Sequence, residues 1–546
     1  MLFRSNDLPI AQRAFPLLLA RKAAQNGAKP FILFEDRQIS YADFDLLTNR
    51  VANGLAKLGV KRGDHVAFLL NNSPEVLLVY FGLFKLGAIV VPLNVAAKGE
   101  LLVYFLEQSD ATLLIADAGL VERFLDVQDR LPLIRHLVVL ADGGAGAELA
   151  GGTAQASRVP VSDFRELEQA TPVPPGVDVR FCDVGYLSYT SGTTGPSKGS
   201  MATHAHAITQ GLDQVRAYGY RADDILFTCL PLSHGNAFLC CCMPALAADA
   251  TIAIGRRFSA TNFWHDVRRH RATQFNLLGA MANILWSQPV RDDDAANTVR
   301  QCMAVPVPGP FYEGFEKRFG LTLTSLYGLT DFGLITYKGL EAPPAKRLTG
   351  GPVRPEVDVR IVDDDDMPLG VGEVGEIVVR ARDPWFNPLG YYNMRQATLE
   401  AWRNLWFHTG DRGVLDADGW LTFVDRKKDA IRRRGQNISS FEVEQMILRH
   451  PAVQDVAAFP VASELSEDEV MVSVVIRPDR QLDVAALIEH CQVNMAYYMV
   501  PRYVEFRPDL PRNASEKVMK YQLRADAEMQ LTSVWDREKA GIKIRR

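Results

Sequence analysis

The chain has 546 residues, 47% of them hydrophobic and 23% charged. That balance excludes a disordered, collagen-like or small disulfide-stapled protein and predicts a folded chain of about two to four domains. Its 60 Lys+Arg against 65 Asp+Glu leave a net charge of -5, too even for a nucleic-acid binder whose affinity comes from neutralising phosphates.

Seven cysteines, three of them adjacent at Cys240, Cys241 and Cys242, suit neither a disulfide framework nor a CxxC metal knuckle. The first residues, MLFRSNDLPIAQRAF, lack the apolar region of a signal peptide, so the expected compartment is the cytoplasm. Ser40 and Asp43 have capping-box spacing. Tyr41, Phe44, Leu47, Val51, Leu55 and Leu58 then recur at helical spacing as far as Gly59, which predicts an amphipathic helix. His65–Leu70 reads as a strand, and Ser73-Pro74-Glu75 opens a second helix that Gly87 ends. Val76–Leu93 has the length of a membrane span, but Lys85, Gly87 and Pro92 interrupt it, so a buried helix and a buried strand, Ala88–Leu93, are expected instead. This order predicts a layered α/β fold with mostly parallel sheets.

Ala141–Ser157, rich in Gly and Ala, reads as an exposed loop. Val357–Val362 and Ile377–Arg380 read as paired strands flanking four aspartates, Asp363 to Asp366, a turn expected to face water rather than hold metal. Beyond Asp425 come Arg426, Lys427, Lys428, Arg432, Arg433 and Arg434, and a fresh helix–strand pattern starts at Ser440. The main domain boundary is expected there.

The most informative stretch is Tyr189-Thr190-Ser191-Gly192-Thr193-Thr194-Gly195-Pro196-Ser197-Lys198-Gly199. Three glycines free the backbone to curl, five hydroxyls supply donors and one lysine supplies positive charge, the components of a loop around polyphosphate. Gly199 after Lys198 departs from the GxxxxGK[ST] pattern of nucleotide kinases.

This segment resembles the phosphate loop of the adenylate-forming superfamily. Further motifs of that family follow in order: Tyr327-Gly328-Leu329-Thr330-Asp331, His408-Thr409-Gly410-Asp411, Asp425-Arg426-Lys427-Lys428-Asp429, Arg434-Gly435-Gln436-Asn437-Ile438 and Ser515-Glu516-Lys517-Val518. The resemblance implies an α/β fold with a large multi-layered N-terminal AMP-binding domain (1–425), a hinge (426–428) centred on Lys428 and a small mobile α+β domain (429–546). The implied activity is ATP-dependent acid–CoA ligation through an acyl-adenylate, with Mg²⁺ and coenzyme A. Rival readings are a stand-alone adenylation enzyme that loads a carrier protein and a nucleotide-binding protein without turnover.

Bringing a carboxylate against ATP sets two anions together, so cations and donors must meet at the α-phosphorus. By resemblance Lys517 supplies the ammonium group, with Lys520 its local rival. Thr190, Ser191, Gly192, Thr193, Thr194, Gly195 and Lys198 would hold the phosphates, with Thr330 beside them and Asp331 on the metal. Asp331 stands where the family has Glu. Tyr327 would face adenine, and Asp411 with Arg426 would bind the ribose. His234 would gate the channel between acid and thiol, while Asn236, Phe238, Met281, Val305 and Phe332 would wall the acyl pocket. Arg432 and the Gly435 loop would meet CoA.

Asn94–Asp110, Thr203-His204-Ala205-His206 and Trp535-Asp536-Arg537-Glu538 make the chain similar to crotonobetaine/carnitine–CoA ligases. A trimethylammonium acid would favour an aromatic cage, and the sequence does not show whether Phe238, Phe332 and Tyr337 converge. The expected partner is a small carboxylic acid, with no nucleic acid or membrane. A homodimer is left open.

Overall fold

A computed structural model describes residues 8–141, 152–190, 197–427, 431–433, 436–462, 468–513, 517–531 and 533–544. The sequence up to about residue 340 builds two large sheets. One has seven strands in the order Val161–Asp163, His136–Leu140, Leu113–Asp117, His65–Leu69, Ile89–Pro92, Val184–Tyr189 and Gly199–Thr203. All its pairings are parallel except the last. The other has eight strands, parallel in its interior and antiparallel at both ends. Side chains of both sheets share one core with the buried helices Phe15–Asn26, Tyr41–Lys57 and Pro74–Leu86.

The apolar run at Val76–Leu93 is a helix and a strand. Every residue of the Pro74–Leu86 helix is buried, and no described helix is long and apolar enough to cross a membrane. Lys85 is buried in that helix because its ammonium donates to Asp45 Oδ1 and Asn49 Oδ1, both at 2.6 Å, which offsets the cost of leaving water. The αL conformation at Gly87 (φ 65°) ends the helix as a C-cap glycine does. Two local details differ from expectation. The Ser73 hydroxyl makes no capping bond, and Ala141–Ser157 contains a helical stretch at 152–156, with 142–151 outside the described residues.

A third, fully antiparallel sheet of five strands includes Val357–Val362, Gly375–Ala381, Phe407–Leu415 and Trp420–Arg426. In its Asp363–Asp366 turn, Asp363 Oδ1 accepts the N–H groups of Asp365 and Met367, both at 2.9 Å, and Asp366 is held by Arg403 and Asn404. These carboxylates serve the turn. Core membership changes after this sheet: Leu421 packs with the third sheet, whereas Ile431 and Ile438 pack with a four-stranded sheet and the helices Ser440–Ile447 and Val484–Asn494. The whole is a large α/β portion of mostly parallel sheets followed by a small α+β portion.

Candidate active site

Strands Val184–Tyr189 and Gly199–Thr203 pair antiparallel, so the Gly/Ser/Thr stretch is the connection between them. Its neck is closed twice, by Thr190 N–H to the Lys198 carbonyl (3.0 Å) and by Lys198 N–H to Thr190 Oγ1 (3.2 Å). Ser191, Gly192, Thr193, Thr194 and Gly195 lie outside the described residues, as do Lys428 and Gly435, and so does the side chain of Arg432.

Leu389–Tyr392 runs against the exit of this connection. Met201 N–H donates to the Gly390 carbonyl (2.9 Å) and Tyr392 N–H to the Gly199 carbonyl (2.8 Å). Gly390 has φ 112°, and a Cβ there would meet Thr398 Cγ2 at 2.6 Å, so only glycine fits. The turn delivers Tyr391 between two expected site residues. Its ring carries the Lys198 ammonium 4.9 Å from the centroid, and its hydroxyl donates to Asp331 Oδ2 at 2.5 Å. Burial pushes the Asp331 carboxyl up from its usual range, and the Tyr391 hydroxyl opposes that shift. Motif reasoning missed Tyr391. Its one sequence signal was an aromatic pair after glycine in the Pro- and Asn-rich run Asp383–Asn393.

Strand register builds the neighbouring cluster. Asp411 and Arg426 face each other across Phe407–Leu415 and Trp420–Arg426, with Arg426 Nε 3.7 Å from Asp411 Oδ1. Tyr327, near the end of Thr322–Leu329, donates its hydroxyl to Asp411 Oδ2 at 2.9 Å. The Asp411 carboxyl is pushed up by burial and drawn back chiefly by Arg426. Thr330 and Asp331 occupy the turn between Thr322–Leu329 and Gly333–Lys338.

Lys517, near the other end of the chain, is exposed and lies within electrostatic range of this cluster. Its backbone is clamped to Asn513 by N–H to Oδ1 and by its carbonyl accepting Asn513 N–H, both at 2.9 Å. The Lys517 charge acts on both the Asp411 carboxylate and the His234 ring. Burial, with Lys517 as the lesser cause, holds His234 down to about 4. His234 Nδ1 accepts Asn236 N–H at 3.2 Å, which places the ring proton on Nε2. Lys520 is engaged elsewhere, with Ser440 and Glu444.

The proposed pocket walls fare differently. Half-buried Asn236 accepts from Asn276 Nδ2 at 3.1 Å, and half-buried Val305 ends the Gln301–Val305 strand. Phe238 is 1% exposed and stacks on Tyr80 at 4.5 Å, and Met281 is fully buried in the same core. Phe332 packs in the third-sheet core beside Phe386, Trp402 and Phe407. Phe238 and Phe332 therefore belong to separate cores, and Tyr337 pairs instead with Tyr218. Core packing accounts for all three rings, and none of them rings another in a cage.

The chemistry of this site suits a nucleotide. Tyr327, Asp411 and Arg426 set a buried phenol, a carboxylate and a cation side by side, and Lys198 and Lys517 add positive charge. Among the described residues no three His, Cys, Asp or Glu side chains gather as a metal cage. The half-buried carboxylate of Asp331 suits a hard cation that takes its other ligands from phosphate and water, as Mg²⁺ prefers.

A nucleotide-binding enzyme built on a two-part α/β scaffold is the class these features define. The chain belongs to the AMP-binding enzyme family, whose pattern matches residues 19–392, with the family's C-terminal domain pattern matching residues 442–517. Crotonobetaine/carnitine–CoA ligases of Salmonella paratyphi B and Salmonella typhi are each 32% identical to it, over 91% and 92% of this chain and 96% and 97% of their own lengths. In fold it is similar to an anthranilate CoA ligase, AuaEII, solved with anthranoyl-AMP (TM-score 0.87, 23% identity, 97% of this chain and 100% of that one). It is also similar to ATP-bound MatB from Rhodopseudomonas palustris (TM-score 0.81, 24% identity, 94% and 99%). A third likeness is to the o-succinylbenzoate CoA synthetase MenE of Bacillus subtilis with ATP and magnesium ion (TM-score 0.78, 24% identity, 93% and 98%).

Proposed function

We propose that this chain is an ATP-dependent acid–CoA ligase for a small carboxylic acid. The observation that supports it most is the bonded Tyr327–Asp411–Arg426 cluster with the Lys517 charge acting on it, residues far apart in sequence whose combination suits attack of a carboxylate on a nucleotide. In the first step a carboxylate oxygen attacks the α-phosphorus of ATP and pyrophosphate leaves with the electrons of the broken P–O bond. In the second the CoA sulfur, its proton lost to a base or solvent, attacks the acyl carbon and AMP leaves.

Tyr327 presents its ring to adenine, Asp411 accepts from the ribose hydroxyls and Arg426 donates to the same sugar. Thr330, Lys198 and Thr190, with Ser191, Gly192, Thr193, Thr194 and Gly195, hold the phosphates. Lys517 donates to the reacting carboxylate and α-phosphate, stabilising charge that builds as they approach. Asp331 holds Mg²⁺, which when bound offsets phosphate charge. Neutral His234 lines the passage between acid and thiol, beside Asn236 and Val305. Arg432 and Gly435 serve CoA, and turning about Lys428 exchanges the two steps. Seven free thiols suit a cytoplasmic enzyme.

The test is a panel of short, branched, aromatic and zwitterionic acids assayed for AMP and thioester formation. AMP release that needs both acid and CoA supports the reading. Tight ATP binding without AMP release from any acid would overturn it, and so would pyrophosphate exchange with no thioester from CoA. Tyr391→Phe keeps the ring under Lys198 but removes the hydroxyl that orients Asp331, a bond to a charged acceptor. Half-maximal adenylation should then need about tenfold more Mg²⁺, the scale of that bond, as read from Mg²⁺ titrations of the initial rate.

A further inference from the structure

Asp425 lies near the end of the Trp420–Arg426 strand and is 4% exposed. Its carboxylate accepts the Ser440 N–H (2.5 Å) and the Ser440 hydroxyl (3.2 Å), and the Ser439 hydroxyl donates to the Val424 carbonyl (2.7 Å). One turn along the Ser440–Ile447 helix, Glu444 pairs with the Lys520 ammonium at 2.7 Å, and the same ammonium donates to Ser440 Oγ at 2.7 Å. Among the described residues the Lys520 ammonium thus pairs with half-buried Glu444 and reaches buried Asp425 through the Ser440 hydroxyl, Asp425 lying ahead of residues 426–428 and Glu444 behind them. Burial pushes both carboxyls up and Lys520 draws both back. Two carboxylates crowded in a low dielectric repel unless a cation lies between them.

We infer that Lys520 is a positioning residue whose ammonium, through the Ser440 hydroxyl, latches the small C-terminal portion onto Asp425 in the arrangement that sets the Lys517 charge by the nucleotide cluster. This rests on the two-step reading above. The topology makes the latch selective. The Lys520–Glu444 and Lys520–Ser440 contacts lie within the C-terminal portion and travel with it. The Ser440–Asp425 and Ser439–Val424 bonds cross residues 426–428, so a turn that carries Ser440 away from Asp425 breaks them and parts Asp425 from Lys520. Lys520 starts the Lys520–Gln530 helix three residues after Lys517, so latch and reacting ammonium arrive together. Stabilising one arrangement alone shifts the population toward it.

The test uses the full-length enzyme with Lys520→Met, Lys520→Arg and Ser440→Ala. Acyl-adenylate formation, thioester formation from supplied acyl-adenylate, and domain arrangement are read separately. Arrangement is read as the distance distribution between spin labels at Val290→Cys and Met529→Cys, exposed by 79% and 75%, in a Cys182→Ser background. Lys520→Met should slow adenylation about tenfold, leave the thioester step unchanged and move the distribution away from the arrangement described here. Ser440→Ala should act in the same direction with its charges intact, and Lys520→Arg should restore both readouts. An unmoved distribution, or a proportional fall in both steps, would overturn the latch. If the unmodified enzyme adenylates no acid, the proposed function fails, and the label distances still decide the latch.

Discussion

Lys517→Ala should slow acyl-adenylate formation about a hundred- to a thousandfold, the scale of removing one preorganised charge from a developing transition state. The charge of this exposed lysine acts on Asp411 and His234, in a site whose polar groups are already fixed by Tyr327, Arg426 and Asn236. Its removal therefore takes away charge stabilisation at that position. Supplied with acyl-adenylate and CoA, the variant should still form thioester at close to the normal rate, because the α-phosphorus has already reacted. Acid-dependent pyrophosphate exchange measures the first step and single-turnover thioester formation the second. Equal losses in both would assign Lys517 a role in holding the structure or in both steps.

The second large effect is on stability. Arg354 is 4% exposed, is ion-paired with Asp213, and donates to Gln210 Oε1 (3.0 Å), the Leu334 carbonyl (2.9 Å) and the Tyr337 hydroxyl (3.0 Å). Its guanidinium also lies 4.8 Å and 4.6 Å from the ring centroids of Tyr337 and Phe386. It therefore ties the His204–Tyr218 helix to the Gly333–Lys338 strand and to the loop that leads into Tyr391. Arg354→Met removes the nearer cation of buried Asp213, leaving it Arg216 at 3.7 Å, and should cost about 3 kcal/mol, the low end for breaking a buried pair. Urea denaturation should show a lower midpoint with an unchanged slope. Adding Asp213→Asn should recover part of the loss, since the buried charge left with only its more distant partner, Arg216, is then gone.

Much of this molecule is legible in its residues because the relevant signals are local. Ser40 caps its helix through Asp43 N–H at 3.1 Å, Gly87 ends another in αL, and the run at Val76–Leu93 follows from length and punctuation. The nucleotide cluster was legible as ordered motifs whose residue types match the chemistry. Phe238 and Phe332 were not separable in advance, because an aromatic side chain reads the same whether it walls a pocket or fills a core, and only packing distinguishes the two.

The sequence by itself determined the α/β layering, since that depends on periodicity and turn residues along short stretches, whereas the polar residues suited to a nucleotide were picked out by resemblance to a family's ordered motifs. Tertiary structure alone decided that Tyr391 stands between Lys198 and Asp331, that Asp411 faces Arg426, and that Lys520 serves Asp425 and Glu444 while the Lys517 charge acts on the site. Those outcomes depend on strand register, on one glycine turn and on the balance of charge in buried space, which bring together groups that share no local pattern.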